Sequence, residues 1–140
     1  MRQICWIIFI VSAFCLLICS PVLASNDIYL TDAIKNPAYA QSLSNLLKGS
    51  RDLPSWIRQT LKTSGDYVGD PMVTSMIDGI SYELFTTCKP HDCLDSQLEV
   101  MFAPNGAQTW AAYAETGKPM VFLGAPSAAQ QAALKAALQH

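Results

Sequence analysis

Met72-Val73-Thr74-Ser75-Met76-Ile77-Asp78-Gly79-Ile80-Ser81-Tyr82-Glu83-Leu84 sets two apolar-rich runs on either side of a turn pair. Met72 to Ile77 is rich in strand formers, and Ile80, Tyr82 and Leu84 then alternate with Ser81 and Glu83. Alternation of period two marks a strand, because successive side chains point to opposite faces. Between the two runs stands Asp78-Gly79, a pair that tolerates the positive φ values of a two-residue type I′ turn. The stretch therefore predicts a β-hairpin whose second strand is half-buried.

The same grammar continues toward the C-terminus. A strand is predicted over 97–103, with Leu98, Val100 and Phe102 inward against Gln97 and Glu99. Pro104-Asn105-Gly106 is a turn. Strands over 107–115 and 119–123 follow, separated by Gly117-Lys118, and Ser127 caps an alanine-rich helix over 128–138 with Leu134 and Leu138 one turn apart. On the N-terminal side, Asn36-Pro37 pairs a helix cap with a proline at the first helical position. Tyr39, Leu43, Leu46 and Leu47 share one helical face, and Gly49 sits at the expected C-cap. We read a helix over 37–48, preceded by a turn of helix over 30–35. Leu53-Pro54-Ser55-Trp56-Ile57 opens a second short helix, with Trp56 pointing into the core. The order is helices, about five strands joined by short turns, then a helix. Short connections force antiparallel neighbours. The expected class is α+β, with helices packed on an antiparallel sheet. The sequence contains no βαβ unit and no glycine-rich phosphate loop.

The 140 residues suit one domain. Apolar residues make up 51% and charged residues 14%, which argues against intrinsic disorder. With a pI near 5.5 and no Lys/Arg run, nucleic-acid binding is not expected. Residues 1–24, MRQICWIIFIVSAFCLLICSPVLA, have the form of a secretory signal peptide: Arg2, an apolar run from Ile4 to Ile18, Pro21, and small-residue cleavage after Ala24. The alternative is a retained anchor, but the run is short against the roughly 20 residues a spanning helix needs. Lipidation of Cys19 is disfavoured by Ile18 before it. Cleavage leaves a single domain, 25–140, with no membrane attachment. Losing Arg2 leaves eight cations against eleven carboxylates, a net charge of −3. Cys5, Cys15 and Cys19 depart with the signal, leaving Cys88 and Cys93. In an exported chain such a pair most simply forms one disulfide.

Of the two histidines, His140 is terminal and His91 lies within Cys88-Lys89-Pro90-His91-Asp92-Cys93, between two predicted strands. A disulfide there would close a short ring, with a chain-entropy contribution of about 2 kcal/mol. Pro90 restricts the ring further by fixing its own φ and biasing Lys89 away from helix. Two readings stay open on these residues alone. On one, the bond is no more than a staple at the ends of two strands; on the other, it holds polar groups ready for a partner. A metal site is disfavoured because Cys-x-x-His-x-Cys is too compressed for the usual ligand pairs. Cys-x4-Cys is not the spacing of a thiol redox site, and cysteine–histidine catalysis would need a free thiol. Asp92 and Asp95 are close in sequence, whereas a hydrolase needs its carboxylates across a cleft. Trp56 and Trp110 fall on apolar faces and read as core. No cofactor and no enzymatic activity are expected.

The six residues Cys88-Lys89-Pro90-His91-Asp92-Cys93 resemble, at every position, the signature loop of the bacterial inhibitor of vertebrate lysozyme (Ivy) family. Leu53-Pro54-Ser55-Trp56-Ile57, Tyr82-Glu83 and Val100-Met101 are also similar, and the resemblance extends over residues 27–125. It implies a five-stranded antiparallel sheet with helices packed against it, and a periplasmic location. It implies inhibition of C-type lysozyme by insertion of the loop into the active-site cleft. By the same resemblance His91 reaches the two catalytic carboxyl groups, Cys88 and Cys93 form the staple, and Lys89, Pro90 and Asp92 shape and flank the tip. The alternative target is the bacterium's own lytic transglycosylases, with lysozyme inhibition secondary. A paralogue that no longer inhibits is the other alternative, and the intact motif argues against it. A monomer is expected, with a homodimer as the alternative.

Overall fold

The computed structural model describes residues 27–138. The helices are α1 (Leu30–Ala33), α2 (Pro37–Lys48) and α3 (Ala128–Ala137), with 3-10 segments at Ser55–Leu61 and Pro104–Gly106. The strands are β1 (Val68–Gly69), β2 (Val73–Ile77), β3 (Ile80–Cys88), β4 (Ser96–Phe102), β5 (Thr109–Glu115) and β6 (Val121–Leu123). All pairings are antiparallel, and the fold is α+β as expected.

Six strands make five rows. β2 through β6 form a meander, and β1 lies along the same edge of β3 as β2. Val68 faces Cys88 at one end of that edge and Ile77 faces Ile80 at the other. Between them the Asp70 amide donates to the Thr86 carbonyl at 3.0 Å. Pro71 follows with no N–H to give, so the edge ladder breaks there. β1 is too short to show an alternation and has no counterpart in the sequence reading.

Local chemistry explains the elements that were anticipated. Asp78 and Gly79 both adopt positive φ, 51° and 78°, as a type I′ turn requires. The Asn36 side chain accepts from the Ala38 amide at 3.0 Å and caps α2. Ser127 and Gln130 form a reciprocal capping box on α3. Gly49 does stand at the C-cap of α2, but at φ −75°, so its left-handed freedom is not used. Gly106 uses its own: φ is 69°, and a Cβ there would lie 2.7 Å from the Tyr39 ring.

Several boundaries move. The helical turn predicted to 35 ends at Ala33, and the short helix opened by Leu53–Ile57 is a 3-10 segment. β4 runs over 96–102 and α3 ends at 137. β5 starts at 109 because the Ala103 amide donates to the Gln108 carbonyl and completes the preceding turn. β6 starts at 121.

The larger correction concerns burial. The sheet is covered on both faces. Leu30, Leu43, Leu47, Trp56 and Ile57 from the first helices pack on Phe85, Leu98, Val100 and Phe102. Leu134 of α3 packs on the opposite face, against Tyr82, Leu84, Met101 and Trp110. Ile80, predicted inward, is 45% exposed at the turn end of the hairpin. Glu99, predicted outward, is fully buried, since it shares by alternation the face that carries Met101. Trp56 and Trp110 are both core residues, as expected. The proposed signal segment and His140 lie outside the described residues. Among the described residues no helix is long and apolar enough to cross a membrane.

Candidate functional site: the loop between β3 and β4

The Cys88–Gln97 pair is the last rung of the β3–β4 ladder, and the candidate loop stands beyond it. Cys88 and Cys93 are joined by a disulfide, with their Cα atoms 4.8 Å apart. Both thiols are therefore consumed, which removes the cysteine nucleophile and the dithiol redox readings.

Inside the ring, the Asp92 amide donates to the Lys89 carbonyl at 3.0 Å and closes a β-turn. Pro90 occupies the second position, where its fixed φ fits, and His91 the third, at φ 63°. That combination is the chemistry of a type II turn. Residues with a Cβ seldom adopt positive φ unless their surroundings hold them there. Three features hold His91: the proline, the disulfide, and an ion pair from Lys89 Nζ to Asp92 at 2.7 Å across the turn. The Asp92 carboxylate raises the pKa of the Lys89 ammonium above its ordinary value. His91 is exposed at the apex. A second turn follows, with the Asp95 and Ser96 amides both donating to the Asp92 carbonyl, and it leaves Leu94 95% exposed.

The loop stands on residues that the sequence did not assign to the site. Ser96 accepts from the Lys89 amide at 3.1 Å through its carbonyl and donates its own amide to Asp92 at 2.9 Å. Its hydroxyl receives the Trp56 indole N–H at 3.1 Å and lies 3.2 Å from the Tyr113 hydroxyl. Tyr113 donates in turn to Glu115 at 2.5 Å, and Glu115 pairs with Lys118 at 2.8 Å. Burial, and then the Glu115 acceptor, push the Tyr113 hydroxyl above its ordinary pKa. Lys118 and Tyr113 hold the Glu115 carboxyl below its own. A cleft of about 340 Å³ opens beside this chain of bonds, between Arg51–Pro54 and Lys118–Pro119. No local signal marks Ser96, because its side-chain partners lie 40 and 17 residues away.

The six predicted site residues are thus brought together in one closed loop, with His91 at its tip. Lys89 braces the turn through Asp92. Among the described residues no group of three or more His, Cys, Asp or Glu side chains could hold a metal ion.

Residues 38–140 match the sequence profile described as Inhibitor of vertebrate lysozyme (Ivy). Similar relatives include an uncharacterized protein of Yersinia pestis, 27% identical over 58% of this chain and 49% of its own length. An Inhibitor of vertebrate lysozyme of Pseudomonas aeruginosa is 29% identical over 59% of this chain and 51% of its own. The Inhibitor of vertebrate lysozyme of Escherichia coli K12 is 25% identical over 66% and 55% respectively. The chain spans about half the length of the curated relatives it matches. With the profile covering the sheet from β1 to β6, the closed loop and α3, this chain belongs to the inhibitor of vertebrate lysozyme (Ivy) family.

Proposed function

We propose that this chain is an exported inhibitor of C-type lysozyme that carries the loop 88–93 into the enzyme's active-site cleft. The observation that carries this reading is His91 exposed at the apex of a covalently closed turn, on a left-handed backbone held by Pro90 and the Lys89–Asp92 pair. A retaining glycosidase presents two carboxyl groups about 5 Å apart. One imidazole can hydrogen-bond to both through its two ring nitrogens, and in the protonated form it donates to both. A turn already fixed in shape loses little entropy on docking, which favours tight binding by a small loop. The net charge of −3 expected for 25–140 favours encounter with a cationic enzyme. The reading includes removal of residues 1–24, a periplasmic product without a membrane anchor, and no catalytic activity of its own.

The test is titration of the purified 25–140 protein against a C-type lysozyme acting on peptidoglycan, with a lytic transglycosylase assayed in parallel. The expected result is stoichiometric loss of lysozyme activity and no peptidoglycan cleavage by the chain alone. Inhibition of the transglycosylase at lower concentrations than lysozyme would make control of autolysis the primary role. Inhibition of neither enzyme refutes the reading.

A further inference from the structure

We propose that Ser96, held by Trp56 and Tyr113, is the positioning residue that orients the inhibitory loop on the body of the protein. The disulfide and the Lys89–Asp92 pair fix the shape of the ring, but both lie within the ring itself. Beyond the Cys88–Gln97 rung most of the attachments to the body run through Ser96. Its carbonyl takes the Lys89 amide and its amide reaches the Asp92 carbonyl, so it grips the two residues that flank Pro90-His91. The Ser96 backbone stands opposite Glu115 at the end of the β4–β5 ladder, and its hydroxyl, buried between an indole N–H of the 3-10 segment and a phenol of β5, fixes the direction of that grip at this last rung. Asp95 adds a brace, its carbonyl accepting from the Thr116 amide at 2.9 Å. Removing the hydroxyl leaves the ring closed and lets it sample several tilts. A binding-competent tilt that is one of several lowers apparent affinity in proportion to its population.

The activity arm of this inference rests on the inhibitory reading of the loop, so the experiment has an arm that does not. Ser96→Ala and Tyr113→Phe are compared with Ser42→Ala, which removes a hydroxyl pair with Thr109 remote in sequence from the loop. Inhibition of a C-type lysozyme is measured at a temperature where all variants are folded. The imidazole resonances of His91 and hydrogen exchange at the Asp92 and Ser96 amides are followed by NMR. Ser96→Ala should weaken inhibition about five- to tenfold, the equivalent of one hydrogen bond, mainly through slower association. It should also shift the His91 resonances and speed exchange at both amides. Tyr113→Phe should move the same readouts by less, and Ser42→Ala should lower stability and leave them in place. A folded Ser96→Ala with wild-type inhibition, His91 resonances and exchange overturns the proposal, as does an equal change in Ser42→Ala. If Ser96→Ala does not fold, Tyr113→Phe decides by the same readouts. If the wild-type chain does not inhibit lysozyme, the functional reading fails, and the resonances and exchange rates still decide the positioning role.

Discussion

Replacing Glu99 by glutamine should stabilise this protein at neutral pH and have little effect in acid. Glu99 is fully buried on the α3 face of the sheet. Thr86 Oγ1 donates to one carboxyl oxygen at 2.7 Å, and the other oxygen has no partner. Burial raises its pKa from 4.5 to about 8; the Thr86 bond opposes that shift and the charge of Asp70 adds to it. An acid whose pKa is raised on folding binds its proton more tightly in the native state, so stability falls as pH climbs above 4.5 and levels off above about 8. At pH 7 the unfolded carboxyl has ionised and the native one has not. At about 1.4 kcal/mol per pH unit this costs about 3 kcal/mol of stability. Glutamine has nearly the same shape, can still accept from Thr86, and has no proton to lose. Urea unfolding of both proteins at pH 4, 5.5, 7 and 8.5 measures the difference directly. Glu99→Gln minus wild type should be near zero at pH 4 and rise to about 3 kcal/mol at pH 7. Any offset already present at pH 4 is packing and is subtracted. A difference that does not change with pH would refute the assignment of a protonated Glu99.

The loop and the N-terminal segment support four further expectations. His91→Ala should leave the thermal midpoint nearly unchanged and cost on the order of 2–4 kcal/mol in lysozyme inhibition, because two desolvated carboxyl groups lose their partner; a folded variant that inhibits normally removes the loop-in-cleft mechanism. Lys89→Ala should weaken inhibition severalfold and less than His91→Ala, and high salt should narrow its gap to wild type, because the brace to Asp92 is a solvent-exposed ion pair. The exported protein should show no titratable thiol under non-reducing denaturing conditions and a mass of residues 25–140 less two hydrogens; Cys88→Ala should inhibit more weakly, by about 1–2 kcal/mol, through lost loop order.

What was legible in the sequence is what local chemistry decides. Asp78-Gly79 needs nothing beyond its own backbone to make a hairpin, and Asn36-Pro37 and Ser127 declare their helix starts in the same way. The burial of Glu99 was not legible by alternation, which says that Glu99 and Leu98 face opposite ways and leaves open whether the second face is covered. A clue stood beside it: Val100, Met101 and Phe102 are consecutive and apolar, the pattern of a strand buried on both sides. β1 was hidden because two residues carry no period, and its pairing depends on how far β3 extends. In the loop, the residue types marked the candidate site. The left-handed backbone at His91 follows from restraints inside the loop, Pro90, the disulfide and the Lys89–Asp92 pair, whereas the part played by Ser96 depends on contacts from β5 and from the segment after α2, which no window of sequence contains.

The energetics of the loop explain why its rigidity is distributed over several weak devices. A ring this short contributes about 2 kcal/mol by chain entropy, and a residue with a Cβ in the left-handed region costs roughly 1–2 kcal/mol. The two are of similar size, so the disulfide adds little net stability to a domain whose sheet is already packed on both faces. Its effect is on the unbound loop, which is held in the turn that places His91 at the apex. The Lys89–Asp92 pair acts in the same direction and also cancels two charges at the tip, leaving the imidazole as the tip's unpaired titratable group. A partner that presents clustered carboxyl groups then meets no net repulsion from Asp92 and a side chain able to donate to both. Ser96 completes this division of labour. The covalent bond and the ion pair shape the ring, and hydrogen bonds to a buried serine aim it, so shape and aim can be lost separately by different substitutions.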